Sequence, residues 1–242
     1  MKAKNCLIFG GTGQIGRNLI RKLAKNNYKV TVVTRNAHTK ANFIKTQANA
    51  GYIDIVEANP FDEKEIGPYF EKTNICINLV GILFEKGKKN TFNNIHANFP
   101  MMLSKLAHQN KIHQLIHISA LGVDKMIDSK YAISKINGER NVSKYFNKSL
   151  ILRPSIVYSV DDNFSTTFMT VLNRLPIFPL YYNGNTKFTP IHCSDMTDII
   201  INAIDKNLNS KIIECVGPEV LTFKEILSIL LNAIGKKRFL VP

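Results

Sequence analysis

The 242-residue sequence predicts an α/β chain built on a doubly wound parallel sheet, followed by a small C-terminal α+β lobe. Three observations carry this. Short, almost wholly apolar runs alternate with longer amphipathic segments through the first two-thirds of the chain. Three glycines, Gly10, Gly13 and Gly16, lie between the first apolar run and the first amphipathic segment. After Arg153-Pro154 the rhythm breaks, and Pro154, Pro176, Pro179, Pro190 and Pro218 punctuate the rest of the chain. Strands that are apolar on both faces are those covered by helices on both sides. A regular strand–helix alternation then implies parallel strands and crossover helices.

Element by element, Cys6 to Phe9 reads as the first strand. Gln14 to Asn27 reads as a helix with Ile15, Leu19, Ile20 and Leu23 on one face. Strands follow at Lys29–Thr34, Tyr52–Val56, Ile75–Val80, Leu115–Ile118 and Leu150–Leu152. The helices between them span Ala37–Asn49, Glu63–Lys72, Phe92–Gln109 and Ser129–Phe146. In the tail, helices are expected at Phe164–Leu175, Asp195–Asn207 and Thr222–Ile234, with strands at Lys187–Ile191 and Ile212–Cys215. The expected division is 1–153 for the sheet domain and 154–242 for a dependent lobe.

Composition narrows the class. The formal net charge is +14, which favours anionic partners. The basic residues are scattered, however, with short clusters only at Lys86-Gly87-Lys88-Lys89 and Lys236-Lys237-Arg238. An Asn- and Ile-rich chain of this kind accumulates lysine without functional cause. No aromatic-interleaved basic stripe is present, so no nucleic-acid partner is expected. Cys6, Cys76, Cys193 and Cys215 form no C-x-x-C pair, and the six histidines show no metal-ligand spacing, so no metal is expected. No apolar run approaches the roughly 18 residues of a membrane span, and the first residues do not resemble a secretory signal. These features lead to an expectation of a reducing, cytoplasmic setting.

The motif Gly10-Gly11-Thr12-Gly13-Gln14-Ile15-Gly16 has the strand–turn–helix placement that a dinucleotide-binding Rossmann loop requires. The first glycine allows the sharp turn, the second lets backbone approach a pyrophosphate, and the third allows close helix–strand packing. The helix N-terminus supplies N–H groups and a partial positive charge. The second strand ends Thr34-Arg35-Asn36, without the acidic residue that binds the ribose hydroxyls of NAD(H). A guanidinium instead suits a 2′-phosphate. The expected cofactor is therefore NADP(H) rather than NAD(H), with Arg35 at the phosphate and Lys40 as a possible helper. The plain alternative for Arg35 is a solvated loop residue.

Tyr131 and Lys135 lie four apart near the start of a helix and share a face. A neighbouring ammonium lowers a phenol toward working pH, which would make Tyr131 a general acid/base and leave Lys135 to hold a ribose. Ser119, ending the fifth strand, has two readings: a hydroxyl that orients a carbonyl, or a strand-end turn serine.

These segments together resemble the short-chain dehydrogenase/reductase superfamily, in its extended or atypical branch. They fall in that family's order: the glycine loop, Asn78-Leu79-Val80-Gly81, Ile118-Ser119-Ala120, Tyr131 to Lys135, Leu152 to Tyr158, and Cys215-Val216-Gly217-Pro218. More narrowly, Asn78 to Leu83, His117 to Gly122, Arg153 to Tyr158 and Asp161 to Phe164 are similar to the NAD-dependent epimerase/dehydratase group that includes the accessory NADPH-binding subunit of respiratory complex I.

The resemblance implies that Gly10, Gly11, Thr12, Gly13, Gln14, Ile15 and Gly16 hold the pyrophosphate and Arg35 the 2′-phosphate. It places Asn59 near the adenine and Leu79, Val80 and Gly81 along the ribose side. Tyr131 and Lys135 become the catalytic pair, and Pro154, Ser155, Ile156 and Val157 flank the nicotinamide. Asn98 matches a relay asparagine of some relatives, or a helix kink before Pro100. The family's catalytic hydroxyl usually stands a residue or two beyond the fifth strand, where this chain has Ala120 and Leu121.

Two functions are implied. One is an NADP(H)-holding accessory or assembly factor of respiratory complex I (NADH:ubiquinone oxidoreductase), peripheral on the inner face of the cytoplasmic membrane. The other is an active NAD(P)H-dependent reductase, dehydrogenase or epimerase on a lipid-like, quinone-pathway or nucleotide-sugar substrate. Phe164, Phe168, Ile177 and Phe178 are either pocket walls for such a lipid or, as the plainer reading, the core of the lobe.

Overall fold

The computed structural model describes residues 4–126 and 128–242; the side chains of Lys40 and Ala41 lie outside the described set, and with them any role for Lys40. In chain order the first elements are β1 (Asn5–Phe9), α1 (Gln14–Lys25), β2 (Lys29–Thr34), α2 (Ala37–Lys45), β3 (Ile53–Glu57), α3 (Glu63–Phe70) and β4 (Ile75–Asn78). A π-helical turn (Asn93–Asn98) leads into α4 (Phe99–Gln109), followed by β5 (Gln114–Ile118), α5 (Lys130–Tyr145) and β6 (Ser149–Pro154). The remainder is β7 (Val157–Tyr158), α6 (Asn163–Arg174), β8 (Ile177–Pro179), a 3₁₀ turn (Tyr181–Gly184), β9 (Lys187–Phe188), β10 (Ile191–His192), α7 (Cys193–Asp205), β11 (Lys211–Cys215), β12 (Leu221–Thr222), α8 (Phe223–Ala233) and β13 (Phe239–Val241).

The main sheet has the order β11-β6-β5-β4-β1-β2-β3. The pairs β3–β2, β2–β1, β1–β4, β4–β5 and β5–β6 are all parallel. β4, β5 and β6 are buried along their whole length, as strands with helices on both faces should be. The edge strand β3 is only half-buried. One core layer gathers Phe9, Phe70, Phe99, Leu103, Leu115 and Ile151. Phe99 meets the Phe9 ring edge-on at 5.5 Å, an arrangement that aromatic quadrupoles favour.

The chain divides into two compact units. The first comprises Met1–Arg153 and Thr197–Glu214, and the second Pro154–Met196 and Cys215–Pro242. This differs from the expected division, which left the whole tail in the lobe. Most of α7 and β11 belong with the sheet. β11 extends it beyond β6, and the buried Gln114 amide donates to Leu208 O at 2.7 Å. Lys22 pairs with Asp198 at 2.6 Å, and the Tyr28 hydroxyl meets Asp205 at 3.2 Å. Proline punctuation obscured this return, because it marks loops and not which sheet a later strand joins.

The second unit has its own core of Leu172, Phe178, Leu180, Ile226, Leu227, Leu230 and Leu231. Phe164 and Phe168 pack against that core, with ring centroids 4.8 Å apart, and Phe168 meets Phe178 edge-on. These aromatics therefore make the lobe's core, in line with the plainer reading; Ile177 is half exposed. The expected strand Lys187–Ile191 is two short strands, β9 and β10, interrupted at Thr189-Pro190 because proline has no N–H for a ladder.

The helix expected from Phe92 to Gln109 also differs. Its first part is π-helical, and Pro100 stands at the start of α4. Proline cannot donate to the carbonyl four residues back, which here belongs to His96, so the regular ladder fails at this point.

Candidate functional site

Strand order reverses between β1 and β4, and in doubly wound sheets ligands bind at the carboxyl ends of the strands flanking such a reversal. Both flanking strands end in motif residues. Gly10 follows β1 with φ +83°, a left-handed conformation that favours glycine, and its carbonyl accepts Gly13 N at 3.1 Å. A Cβ on Gly16 would lie 2.6 Å from Gly10 O, so the loop can fold back on α1 only if that position has no side chain. Arg17 ties the loop down, its Nη1 donating to Thr12 O at 2.7 Å.

α1 begins at Gly13 with no side-chain cap and no acid in its first turn. By contrast Asp62, Ser129, Asp162 and Thr222 cap α3, α5, α6 and α8. An uncapped N-terminus facing a glycine turn is the geometry that binds phosphate. Gln14, Ile15 and Gly16 form this first turn, and Gly11 is buried beneath it against Val32.

Two clefts open here. One, of about 560 Å³, is lined by Gly10, Thr12, Gly13, Thr34, Arg35, Leu79, Val80 and Gly81 among others. The second, of about 570 Å³, is lined by Arg35, Asn59, Phe61, Lys88, Lys89, Asn94, Asn98, Phe99 and Met102, with Asn90. They share Arg35 and Phe61, and among the described residues no carboxylate lines either one. The structure thus brings the glycine loop, Arg35, Asn59 and Leu79–Gly81 to one groove. It also shows an acid that reading along β2 missed. Glu57, ending β3 opposite Thr34, accepts Ala37 N at 2.9 Å. Its carboxylate is committed to the start of α2 and lies outside both linings.

Tyr131 and Lys135 lie on α5. The Lys135 ammonium is buried, donates to Ile118 O at 3.2 Å, and comes within 3.4 Å of where a Cβ on Gly81 would be. Gly81 is therefore the contact between the lysine and the groove. Burial lowers Lys135 to about 8. The expectation that Lys135 depresses the Tyr131 phenol is not met: burial raises it. The lysine charge is directed to a backbone carbonyl instead. Ser119 Oγ is buried with no hydrogen-bond partner, and Ser119 lines neither cleft.

Asn98 is exposed, donates to Asn94 Oδ1 at 3.2 Å and lines the cleft that holds Arg35. Pro154, Ser155, Ile156 and Val157 belong to the second unit. There Ser155 N donates to Cys215 O, Ile156 O accepts Ile191 N, and Val157 pairs with Ile191 in β7–β10.

Residues that the sequence pattern did not single out surround the pair. His96, in the π turn, stacks on Phe92 and meets the Tyr131 ring edge-on at 5.3 Å. Its Nε2 accepts Ile82 N at 3.1 Å, and its Nδ1 lies 2.9 Å from Ser134 Oγ. The Ser134 hydroxyl donates to Tyr131 O at 2.7 Å, so Nδ1 must carry the imidazole proton. His117 Nδ1 accepts Asn78 Nδ2 at 3.1 Å, while its Nε2–H is buried without a partner. Burial and the Lys135 charge lower both rings to about 3.

Behind them Arg153 grips Glu139 through two bonds of 2.9 and 2.8 Å and Asp124 through one of 2.7 Å. This holds α5 to β6 and to the loop after β5. The one sequence signal for His96 was its place before Pro100, where a helix has to distort. His117 and Arg153 fall in segments that carry the family resemblance but were given no role of their own, and Glu139 sits inside an ordinary helix pattern and gave no signal.

The NAD dependent epimerase/dehydratase family model matches residues 6–215. The chain is 27% identical to the mitochondrial NADH dehydrogenase [ubiquinone] 1 alpha subcomplex subunit 9 of Arabidopsis thaliana over 94% of its own length, covering 57% of that protein. It is 28% identical to the subunit of the same name from Dictyostelium discoideum, over 95% of its length and 64% of the relative. The chain thus spans about three-fifths of the length of these relatives. In fold it superposes on the dTDP-glucose 4,6-dehydratase DesIV of Streptomyces venezuelae, solved with NAD and TYD bound. The TM-score is 0.82 at 18% identity, covering 98% of this chain and 85% of that one. With the family model covering the sheet from β1 to β11, the chain belongs to the NAD dependent epimerase/dehydratase family, a family of pyridine-dinucleotide-binding proteins.

Proposed function

We propose that this chain is an NADP(H)-holding accessory or assembly factor of a membrane respiratory complex of the NADH:ubiquinone oxidoreductase kind. The observation that carries the cofactor half is the pair of clefts beside the uncapped start of α1, sharing Arg35 and, among the described residues, lined by no carboxylate. The glycine loop would hold the pyrophosphate, Asn59 and Phe61 would face the adenosine, and Leu79 to Gly81 would line the ribose. An arginine there with no acid in the lining suits a 2′-phosphate over bare ribose hydroxyls. The relatives' names support the respiratory half. Among the described residues no helix is long and apolar enough to cross a membrane; in this reading the chain attaches at the inner face through a protein partner.

The accessory role is also supported by Ser119, which lines neither cleft. Bound dinucleotide would then stabilise the fold by linkage, by about 2.7 kcal/mol at a hundred times its Kd. The test is to solubilise host membranes with mild detergent and follow the chain. The expected result is co-migration with the respiratory complex and release of NADP(H) on denaturation. Soluble behaviour with NAD(H), or with no nucleotide, would overturn the proposal.

A second reading, an active reductase or epimerase, is favoured by one observation: Lys135 Nζ reaches the Gly81 wall of the groove. A bound nicotinamide supplies or accepts hydride; Tyr131 would hold the proton exchanged with a carbonyl or alcohol, and Lys135 would orient the ribose. Turnover by the wild type that is lost in Tyr131→Phe, with nucleotide affinity unchanged, would establish this reading in place of the first.

A further inference from the structure

We infer that the hairpin carrying Lys88 and Lys89 is the second half of the 2′-phosphate site and sets the preference for NADP(H). This rests on the NADP(H) reading above and extends it to residues outside the glycine loop and β2. The first ground is charge. A phosphate monoester carries about −1.5 to −2 near neutral pH, so a single guanidinium leaves it under-neutralised. The cleft bounded by Arg35 has two further cations in its wall, Lys88 and Lys89, and every other polar wall residue is a neutral asparagine. None of the three cations forms an ion pair with a carboxylate among the described residues.

The second ground is order. The hairpin is held in place by its own bonds: Lys86 N donates to Asn90 O at 3.0 Å, and Lys86 and Asn90 form an isolated antiparallel bridge. Asn94 Nδ2, from the π turn, donates to Lys89 O at 3.2 Å. Glu85, the acid nearest these lysines in sequence, accepts Phe92 N at 2.7 Å and does not line the cleft. The backbone that presents the two lysines is thus tied down at the cleft that Arg35 also lines. Phe61, Phe99 and Met102 offer apolar surface to a base in the same cleft. Lysine ammoniums act there as point charges beside the planar arginine fork.

The experiment titrates NADPH and NADH into the wild type, Lys88→Ala/Lys89→Ala and Arg35→Ala at low and high salt. Thermal melting checks that each variant is folded. The double lysine variant should weaken NADPH by about 10-fold or more while NADH changes by less than about 2-fold, and the loss should shrink at high salt, since exposed charges are screened. An unchanged NADPH affinity, or equal losses for both nucleotides, overturns the inference. A wild type without preference for NADPH instead brings down the NADP(H) reading itself. If Arg35→Ala abolishes a preference that the double lysine variant keeps, Arg35 alone holds the phosphate and the hairpin does not.

Discussion

Lowering the pH from 7 to 5 should cost this protein much of its stability through two buried rings. His96 receives Ile82 N–H at Nε2, and His117 receives Asn78 N–H at Nδ1. In each ring the only protonatable nitrogen already faces a donor, and the Lys135 ammonium adds repulsion. Both rings are lowered to about 3 in the folded chain, against about 6.5 when unfolded. The folded pKa lies below the unfolded one, so the stabilisation is complete above about pH 6.5. It is lost as the pH falls toward the folded value, at about 1.4 kcal/mol per unit for each ring.

From pH 7 to 5 the two together should cost about 4 kcal/mol, a large share of a typical domain's stability. Urea unfolding at pH 7, 6 and 5, with proton uptake measured alongside, reads this directly. His117→Asn keeps an amide-bonding side chain in place of the ring and should roughly halve the slope. A stability flat across this range, or a slope unchanged by His117→Asn, would refute the reasoning.

Three substitutions probe other parts of the molecule. Gly138→Ala would put a Cβ 1.9 Å from His96 O, so it should destabilise by about 3 kcal/mol or more by urea titration, with the π turn displaced. Arg153→Met leaves the buried Glu139 carboxylate without its two bonds. It should cost about 3–5 kcal/mol, and adding Glu139→Gln should recover part of that loss in a double-mutant cycle. Ser119→Ala removes a hydroxyl that bonds nothing, so stability should stay within about 0.5 kcal/mol or rise, and any hydride-transfer activity should be unchanged. A tenfold loss of turnover there would make Ser119 a catalytic group after all.

The sheet and its glycine loop were legible because each rests on local patterning. Apolar runs of three to six residues, crossover helices and a strand–turn–helix glycine triplet are short-range signals, and β1 to β6 stand where those signals put them. Four features escaped. The return of 197–214 to the main sheet depends on a pairing beside β6 that no local pattern encodes. Glu57 approaches the end of β2 from a neighbouring strand, where a search along β2 could not see it. The Tyr131–Lys135 spacing was visible, but the direction of the phenol shift was not. That direction comes from burial of the phenol, which residue spacing does not reveal. His96 and His117 read as ordinary helix and strand residues, and only their contacts reveal a proton-poor cluster beside the groove.

The central claim is a groove made for a dinucleotide bearing a third phosphate. Calorimetric titration of the purified chain with NADPH and NADH at one fixed, low ionic strength tests it directly. The expected result is one site and at least about tenfold tighter binding of NADPH. No measurable binding of either nucleotide would contradict the site, and equal or tighter binding of NADH would contradict the role given to Arg35.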